Sequence, residues 1–451
     1  MFGKLTTSSY KREAPLTSNI AFLPAIISTA FLLLGLCLLY LESMPYIRVI
    51  EERLPTMLVP GKENARSILN IIANGIISLT VFSFSMVMVV LSQASSTQSP
   101  RIIPGLTTAK SHQIVLGFYI GTIIYTLLLL LNFEKEESGV KETPAIAILL
   151  AMAFAVLCLV LFVYFIHSIS KAIQVDNIMN SVFVKAKEAL HEENEEAKKS
   201  KSSKVNNARQ LRYTLNNLGN GYLRRVDLTA LQQITREYDL QVEIVEEIGT
   251  FTVEGSPLMR LSADPNEDKE LRRRLQDCFD LSQHEIVMED FEQGVKQLSE
   301  IAVKALSPGI NDPGTALKAI DFLTLLFIYR VKSEERNFLL DEKNNLRVIE
   351  RNMTLDELLH RYLSPIRTYG KADLQINLRL LKCLNNVLHQ SPHHTHEAVL
   401  SKHIRAVLFD AEKNIQNPVD RGLLNDAIQN FNEASATQHQ LYLLDVQDVT
   451  H

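Results

Sequence analysis

The sequence predicts a membrane protein, in which a four-helix transmembrane region precedes a soluble α+β domain. Four stretches contain no Asp, Glu, Lys or Arg, and each exceeds the roughly 20 residues that a helix needs to cross a bilayer: residues 19–41, 67–99, 111–133 and 143–170. Most charged residues, and the segments that alternate between apolar and polar residues, lie after residue 171. The expected organisation is a transmembrane domain (1–170), a charged helical linker (171–210), a small β-rich module (211–264) and a mainly helical domain (265–451).

The composition agrees with a chain made of two unlike parts. The 451 residues are 46% hydrophobic and 22% charged, with a mean hydropathy of +0.04 and a net charge of −5. Subtracting the 12 Lys+Arg and 9 Asp+Glu of residues 1–171 from the totals of 46 and 51 leaves a net charge of −8 for the remainder. This composition excludes a disordered chain and a disulfide scaffold, and it offers no basic surface for nucleic acid.

The four predicted spans cover about residues 19–41, 67–92, 112–133 and 144–168. The first is longer than the apolar core of a signal peptide and has no small-residue cleavage site after it, so we expect a retained anchor. An even number of spans puts both termini on one side. The flanking Lys and Arg residues are split equally between the two sides, and Lys185 and Lys187 favour a cytoplasmic location for the termini. We predict a multi-pass protein of the inner (plasma) membrane with the lipid bilayer as its main partner.

The second span carries a stripe of polar residues along one helix face. At 100° per residue these side chains fall within an arc of roughly 60°: Ser67, Asn74, Ser78, Ser85, Ser92, Ser96 and Ser99. Polar groups are costly in hydrocarbon, so the stripe must face something other than lipid. Two interpretations remain open: the stripe packs against neighbouring helices, or it lines a water-filled path. The candidate pore-lining residues are Asn74, Ser78, Ser85, Ser92 and Ser96.

Two further residues are candidates for the mouth of such a path. Arg101 follows the second span after Pro100 and either attracts anions or anchors the helix end among lipid headgroups. His167, near the end of the fourth span, either titrates near neutral pH or makes a structural hydrogen bond. Small residues at spacing four predict close helix packing in the third and fourth spans: Gly117 and Gly121, and Ala147, Ala151 and Ala155.

Residues 211–264 contain short β signals, and residues 265–451 read as mainly helical. Gly221–Val226 and Gln241–Val245 alternate as strands, and Asp227 is placed to cap a helix between them. Phe338–Leu340 and Leu346–Ile349 flank Asn344 as a hairpin, and the Thr354–Glu357 spacing predicts a capping box.

The segment Ser307–Thr315 joins two predicted helices and contains candidate site residues Ser307, Asn311 and Asp312. Asn311 and Asp312 could join Asp290 and Glu292 in a carboxylate site, or Asp312 could simply cap a helix that starts at Pro313. No motif of a hydrolase, P-loop enzyme or zinc protease occurs, so we expect no enzyme and no cofactor. A group of histidines between His389 and His403 offers metal ligands, yet solvated side chains explain it equally simply.

The chain resembles a bacterial family of predicted membrane proteins that have four N-terminal transmembrane helices and a cytoplasmic domain. The most specific match is Leu306-Ser307-Pro308-Gly309-Ile310-Asn311-Asp312-Pro313, and others are Ser99-Pro100-Arg101 and Phe165-Ile166-His167. The resemblance covers nearly the whole chain. It implies an architecture and carries no substrate or activity.

Two functions are compatible with these patterns. In the first, the protein is a homo-oligomeric channel for small ions, the second span lines the path, and the cytoplasmic domain regulates or assembles it. A single stripe forms a pore only when it is repeated around an axis. In the second, the protein is a membrane-anchored sensor or scaffold whose cytoplasmic domain binds a ligand or a protein partner. The first predicts that Ser78, Ser85 and Ser92 are reached by water, and the second predicts that they are dry.

Overall fold

The computed structural model describes residues 21–42, 62–97, 110–134, 145–172, 174–200, 209–283, 290–333, 338–392, 395–434 and 441–445. The chain divides into two compact units, Met1–Asn177 and Ile178–His451. We call them the membrane unit and the soluble domain. The segment Tyr46–Leu54 between the first two predicted spans mixes apolar and charged residues, a pattern that suits a short interfacial helix or a solvent loop. It lies outside the described residues.

The membrane unit consists of four long helices: α1 (Phe22–Glu42), α2 (Lys62–Thr97), α3 (Lys110–Glu134) and α4 (Ala145–Ala172). Each contains a stretch long and apolar enough to span a membrane: Phe22–Leu41, Glu63–Val90, Ser111–Asn132 and Ile146–Lys171. The prediction of four long apolar helices in this part of the chain is therefore confirmed. The helix α2 has 36 residues, a length of about 54 Å at 1.5 Å per residue, so it exceeds the ~30 Å hydrocarbon layer.

The helix α3 packs against each of the other three. Gly117 lies against Pro24 and Ile27 of α1, and Gly121 lies against Phe31, so close that a side chain at either glycine would collide. On the other side, the Tyr125 hydroxyl donates a hydrogen bond of 3.0 Å to the Ala147 carbonyl of α4. The small residues predicted to permit close packing do so within this chain.

The soluble domain starts with a long helix and two small sheets. The helix is α5 (Val175–Ser200), and the strands and helices that follow are β1 (Tyr213–Asn216), β2 (Gly221–Val226), α6 (Leu228–Glu237), β3 (Val242–Ile244), β4 (Phe251–Thr252), β5 (Pro257–Leu261), α7 (Lys269–Asp277) and β6 (Phe279–Ser282). Asp227 caps α6 as predicted, since its carboxylate accepts a hydrogen bond from the Ala230 amide.

The C-terminal region is helical apart from one hairpin. Its elements are α8 (Phe291–Ala305), α9 (Pro313–Lys332), β7 (Phe338–Leu340), β8 (Leu346–Ile349), α10 (Leu355–Leu358), a π-helical turn (Leu359–Leu363), α11 (Ser364–Gly370), α12 (Leu374–Gln390), α13 (Glu397–Asn414) and α14 (Pro418–Ala434). The β7–β8 hairpin and the Thr354–Glu357 capping box are confirmed. The helix α9 packs against both α8 and α12.

The sheets join parts of the chain that the sequence analysis treated separately. One sheet has the order β1-β5-β3-β8-β7, in which Val242 of β3 pairs in parallel with Val348 of β8. The other has the order β4-β2-β6. The strand β6 lies in a region read as helical, and β1 has too few residues for a recognisable alternation. Residues 211–264 therefore share their main sheet with the hairpin of residues 338–349.

Candidate functional sites

The polar stripe lies on the face of α2 that points away from the rest of the membrane unit. Asn74, Ser78, Ser85 and Ser92 are exposed. The opposite face of α2 is buried, and it consists of Ala65, Leu69, Ile72, Ala73, Ile76 and Ser83. Among the residues that the structure describes, the stripe therefore makes no packing contact with the other membrane helices.

Large apolar side chains flank the stripe. Ile71 is 70% exposed and Val89 is 67% exposed, and Val81 and Phe82 are exposed as well. Within the stripe, the Ser78 hydroxyl donates a hydrogen bond of 2.9 Å to the Asn74 carbonyl. Such a bond satisfies a serine hydroxyl in its own helix, whereas the amide of Asn74 remains costly to place against lipid.

The structure describes less of the surroundings of the other candidate residues in the membrane unit. Ser96 belongs to α2, but its side chain and all of Arg101 lie outside the described residues. His167 is exposed near the end of α4. Its neighbour Ser168 lies 3.4 Å from the imidazole of His112 on α3, a polar contact that the sequence analysis did not anticipate.

The loop between α8 and α9 uses its polar residues for turns and capping. The Ser307 hydroxyl donates to the Lys304 carbonyl at 2.6 Å, and the amides of Ile310 and Asn311 both donate to the Ser307 carbonyl. Asn311 has a φ of 48°, a left-handed conformation that asparagine tolerates better than most residues. Asp312 caps α9, accepting from the Thr315 amide at 3.1 Å and from its hydroxyl at 2.6 Å.

Asp312→Ala is expected to destabilise the soluble domain by about 1 kcal/mol, because the first turn of α9 loses its cap. The hydrogen bonds from Thr315 hold the pKa of Asp312 below its ordinary value. This contribution to stability is present above the unfolded pKa and is lost as the pH falls through the folded one. Urea unfolding at neutral pH and in acid measures both effects. An Asp312→Asn variant keeps a hydrogen-bond acceptor at the cap and serves as the control. Its free energy of unfolding should fall less than that of Asp312→Ala.

The loop does not meet the carboxylates with which it might have formed a site. Asp290 caps the start of α8 through a hydrogen bond of 2.7 Å from the Gln293 amide, whereas Ser307 follows the end of the same helix. Fifteen helical residues separate the two ends by roughly 22 Å. The suggested carboxylate site of Asn311 and Asp312 with Asp290 and Glu292 is therefore not formed.

Asp290 and Glu292 instead lie in a cleft that the sequence analysis missed. The cleft has a volume of about 260 Å³ and is floored by apolar side chains that include Val226, Phe291 and Met353. Its carboxylates come from four segments of the chain: Glu193, Glu246, Glu247, Asp290, Glu292 and Glu350. Arg330, which is buried, also faces the cleft and donates a hydrogen bond of 3.2 Å to the Met353 carbonyl.

The crowding of these groups changes their acidity. Burial raises the pKa of Asp290, although the amide hydrogen bond of Gln293 opposes the change. Burial also raises the pKa of Glu292, and the negative charges of Asp290 and Glu247 act in the same direction. Surrounding protein and then the neighbouring carboxylates raise the pKa of Glu193 to about 7, against the attraction of Arg330. No spacing rule in the sequence links these residues, because the fold alone brings their segments together.

Comparison with known proteins identifies the kind of chain to which this architecture belongs. A family described as "Predicted membrane protein (DUF2254)" matches residues 17–386, which include all four apolar helices and the chain through most of α12. The chain belongs to the DUF2254 family. An uncharacterized protein of Mycobacterium tuberculosis and one of Mycobacterium bovis are each 22% identical to it over 373 residues, covering 81% of this chain and 71% of theirs. No solved structure matches the chain.

Membership of DUF2254 makes the chain a membrane protein and agrees with the resemblance noted from the loop sequence. In the ranges that the structure describes, no three His, Cys, Asp or Glu side chains are arranged to hold a metal ion. His403 is buried and lies 2.8 Å from the Asp356 carboxylate, whereas His393 and His394 are outside the described residues.

Proposed function

We propose that the protein is a homo-oligomeric channel in which copies of α2 line a water-filled path for small ions. The observation that supports this proposal is the outward position of the polar stripe on α2. Asn74, Ser78, Ser85 and Ser92 are exposed over about five helical turns, and no described residue of the chain covers them. Conduction by a pore, rather than catalysis, is the activity proposed.

The physical argument rests on the cost of polar groups in hydrocarbon. A stripe of amides and hydroxyls against lipid is unfavourable, whereas contact with water or with other copies satisfies it. Closed rotational symmetry would bring one α2 from each copy around an axis and turn the stripes toward each other. The stripe has no charged side chain, so the proposed path discriminates by width and hydrogen bonding rather than by a ring of charge.

The proposed topology has both termini in the cytoplasm and the chain in the inner (plasma) membrane. Lys185 and Lys187 follow the last span and favour this orientation under the positive-inside rule. The described chain contains four free cysteines, two of them in the soluble domain, which suits a reducing compartment. In this topology the soluble domain is the regulatory or assembly part of the channel.

The second candidate function is a membrane-anchored sensor or scaffold whose cytoplasmic domain binds a ligand or a protein partner. The cleft beside Arg330 favours it, because the cleft combines an apolar floor with several half-buried carboxylates. In that case the exposed face of α2 is an interface between copies or with another membrane protein, and it excludes water.

Cysteine accessibility separates the two functions. Single cysteines at positions 78, 85 and 92, in a chain without Cys37, Cys158, Cys278 and Cys383, are treated in liposomes with a membrane-impermeant thiol reagent. We expect labelling at the three stripe positions. Matched controls are Val160→Cys and Val163→Cys on α4, which are 61% and 68% exposed on an apolar surface and are expected to remain unlabelled. Protection of all stripe positions in folded protein would contradict the channel and favour the sensor.

A further inference from the structure

The helix α5 is the covalent connection between the two units. It starts at Val175, three residues after α4 ends at Ala172, and most of its length belongs to the soluble domain. The inference below concerns this attachment, and it stands whether or not the membrane unit conducts ions.

One face of α5 is an apolar seam. Val182, Ala186 and Leu190 are buried and follow each other at helical spacing. The seam meets the first turns of α8, where Gly294 approaches so closely that a Cβ atom there would overlap the Cβ of Ala186. Beside the seam, the ring of Phe183 lies 5.3 Å from that of Phe322 on α9.

Glu193 occupies the next position on the same face. It follows Leu190 by three residues and Ala186 by seven, so the helix directs it the same way as the buried seam. A carboxyl therefore stands where the seam would continue, at the edge of the cleft beside Arg330. The side chain retains contact with solvent, which allows it to exchange protons freely.

Charged groups face Glu193 from every element around the cleft. They are Asp290 and Glu292 at the start of α8, Arg330 on α9, Glu350 and Arg351 after β8, and Glu246 and Glu247 after β3. Glu247 accepts a hydrogen bond of 2.8 Å from Arg361, and Glu357 accepts one of 2.9 Å from Arg351. Tyr362 is close enough to Asp290 and Glu292 to interact with both. Near Glu193 the carboxylates outnumber the cations, so a further negative charge is repelled.

We propose that ionisation of Glu193 releases the C-terminal end of α5 from the soluble domain, so that this contact is a pH-sensitive latch on the helix that leads to the membrane. With Glu193 neutral, the seam and the carboxyl both remain in place. With Glu193 ionised, the loss of hydration and the repulsion by Asp290, Glu292 and Glu350 together outweigh its attraction to Arg330. The end of α5 after Leu190 then moves into solvent, where the charge is hydrated.

The direction of the pH effect follows from the two states of Glu193. Its pKa is about 7 in the docked helix, and 4.5 is the ordinary value expected after release. Glu193 therefore binds its proton more tightly in the docked state than in the released state. The free energy by which this proton favours docking is lost as the pH rises from 4.5 through about 7. Asp290 and Glu292 have raised pKa values as well, so their ionisation acts in the same direction. Linkage with the two values for Glu193 alone gives a change of roughly tenfold in the release equilibrium between about pH 6 and about pH 8.

Hydrogen exchange of the full chain in lipid nanodiscs tests the latch. The observed peptide covers residues 187–200, and exchange rates at about pH 6 and about pH 8 are corrected for the intrinsic effect of pH on exchange. We expect protection to fall threefold to roughly tenfold at the higher pH, the lower figure allowing for screening by solvent. Glu193→Gln is expected to keep the helix protected at both pH values.

Two variants serve as matched controls. Glu192→Gln removes the same charge from the neighbouring position, about 100° away on the helix, and should keep the pH response of the unmodified chain. His191→Gln removes the imidazole two residues before Glu193 and should also keep the pH response of the unmodified chain. The latch is overturned if the response is absent from the unmodified chain, or if it persists unchanged in Glu193→Gln. Neither outcome alters the labelling result at positions 78, 85 and 92, so the two proposals fail independently.

Discussion

Replacing Arg347 with leucine is expected to lower the free energy of unfolding of the soluble domain by about 3–5 kcal/mol. Arg347 lies on β8 with only 9% of its side chain exposed, and it is held between two carboxylates. Its Nη1 atom lies 2.7 Å from Asp239, and its Nη2 atom lies 2.9 Å from Asp341, whose side chain is also 9% exposed. Leucine fills part of the space but leaves the Asp341 charge buried without its cation.

The pH dependence of this loss identifies its cause. Burial opposes the ionisation of Asp341, but hydrogen bonds from Asn345 and Arg347 hold its pKa well below the usual range. The Arg347→Leu variant lacks one of these partners, so its Asp341 takes up a proton more readily. We expect the deficit in stability to narrow below about pH 4, the ordinary range of an aspartate.

Urea unfolding of the full chain in detergent, followed by circular dichroism, measures both effects. The control is Arg273→Leu, because Arg273 is 62% exposed and pairs with Glu270 on the surface of α7. Surface pairs of this kind contribute about 0–1 kcal/mol. Equal losses in the two variants would show that the buried pair has no special role.

Gly294→Ala is expected to destabilise the domain by about 1–3 kcal/mol, although alanine favours a helix by about 1 kcal/mol over glycine. The new methyl group would overlap Ala186, so α5 or α8 must shift. Faster hydrogen exchange in residues 182–190 should accompany the loss. Urea unfolding of the same preparation measures the loss in the free energy of unfolding.

Two comparisons isolate the overlap. Gly422→Ala, in α14 where no atom lies within 4 Å of the added Cβ, should be neutral or stabilising. Combining Gly294→Ala with Ala186→Gly moves the methyl group to the opposite helix and should recover much of the stability. A double variant no more stable than Gly294→Ala alone would mean that the methyl overlap is not the cause.

Local chemistry was sufficient to predict much of this fold. A helix that crosses hydrocarbon must exclude charge over its length, so four uncharged stretches were enough to find α1 to α4. Capping depends on residues three or four positions apart, which is why Asp227, Asp312 and Thr354 were found at helix starts. The short strands β1 and β6 have too few residues for a period to emerge, and pairing with distant strands determines them.

The same distinction between local patterns and long-range contacts applies to the candidate sites. Periodicity alone revealed the stripe of Ser78, Ser85 and Ser92, because one helix contains all of it. Its exposure could not be predicted, since that depends on which face of α2 packs against α3 and α4. The cleft was missed because Glu193, Asp290 and Glu350 are far apart in sequence and share no motif.

The pairing of β3 with β8 has a consequence for how the protein is made. The partner of Val242 is Val348, so 106 residues must be added before this side of β3 can be covered. At synthesis rates of about 5–20 residues per second, the delay is roughly 5–20 s. During that time one edge of β3 has no partner strand, and the membrane region, which precedes it in the chain, has already been synthesised. A chaperone that binds exposed strand edges near the ribosome would meet this protein in that interval.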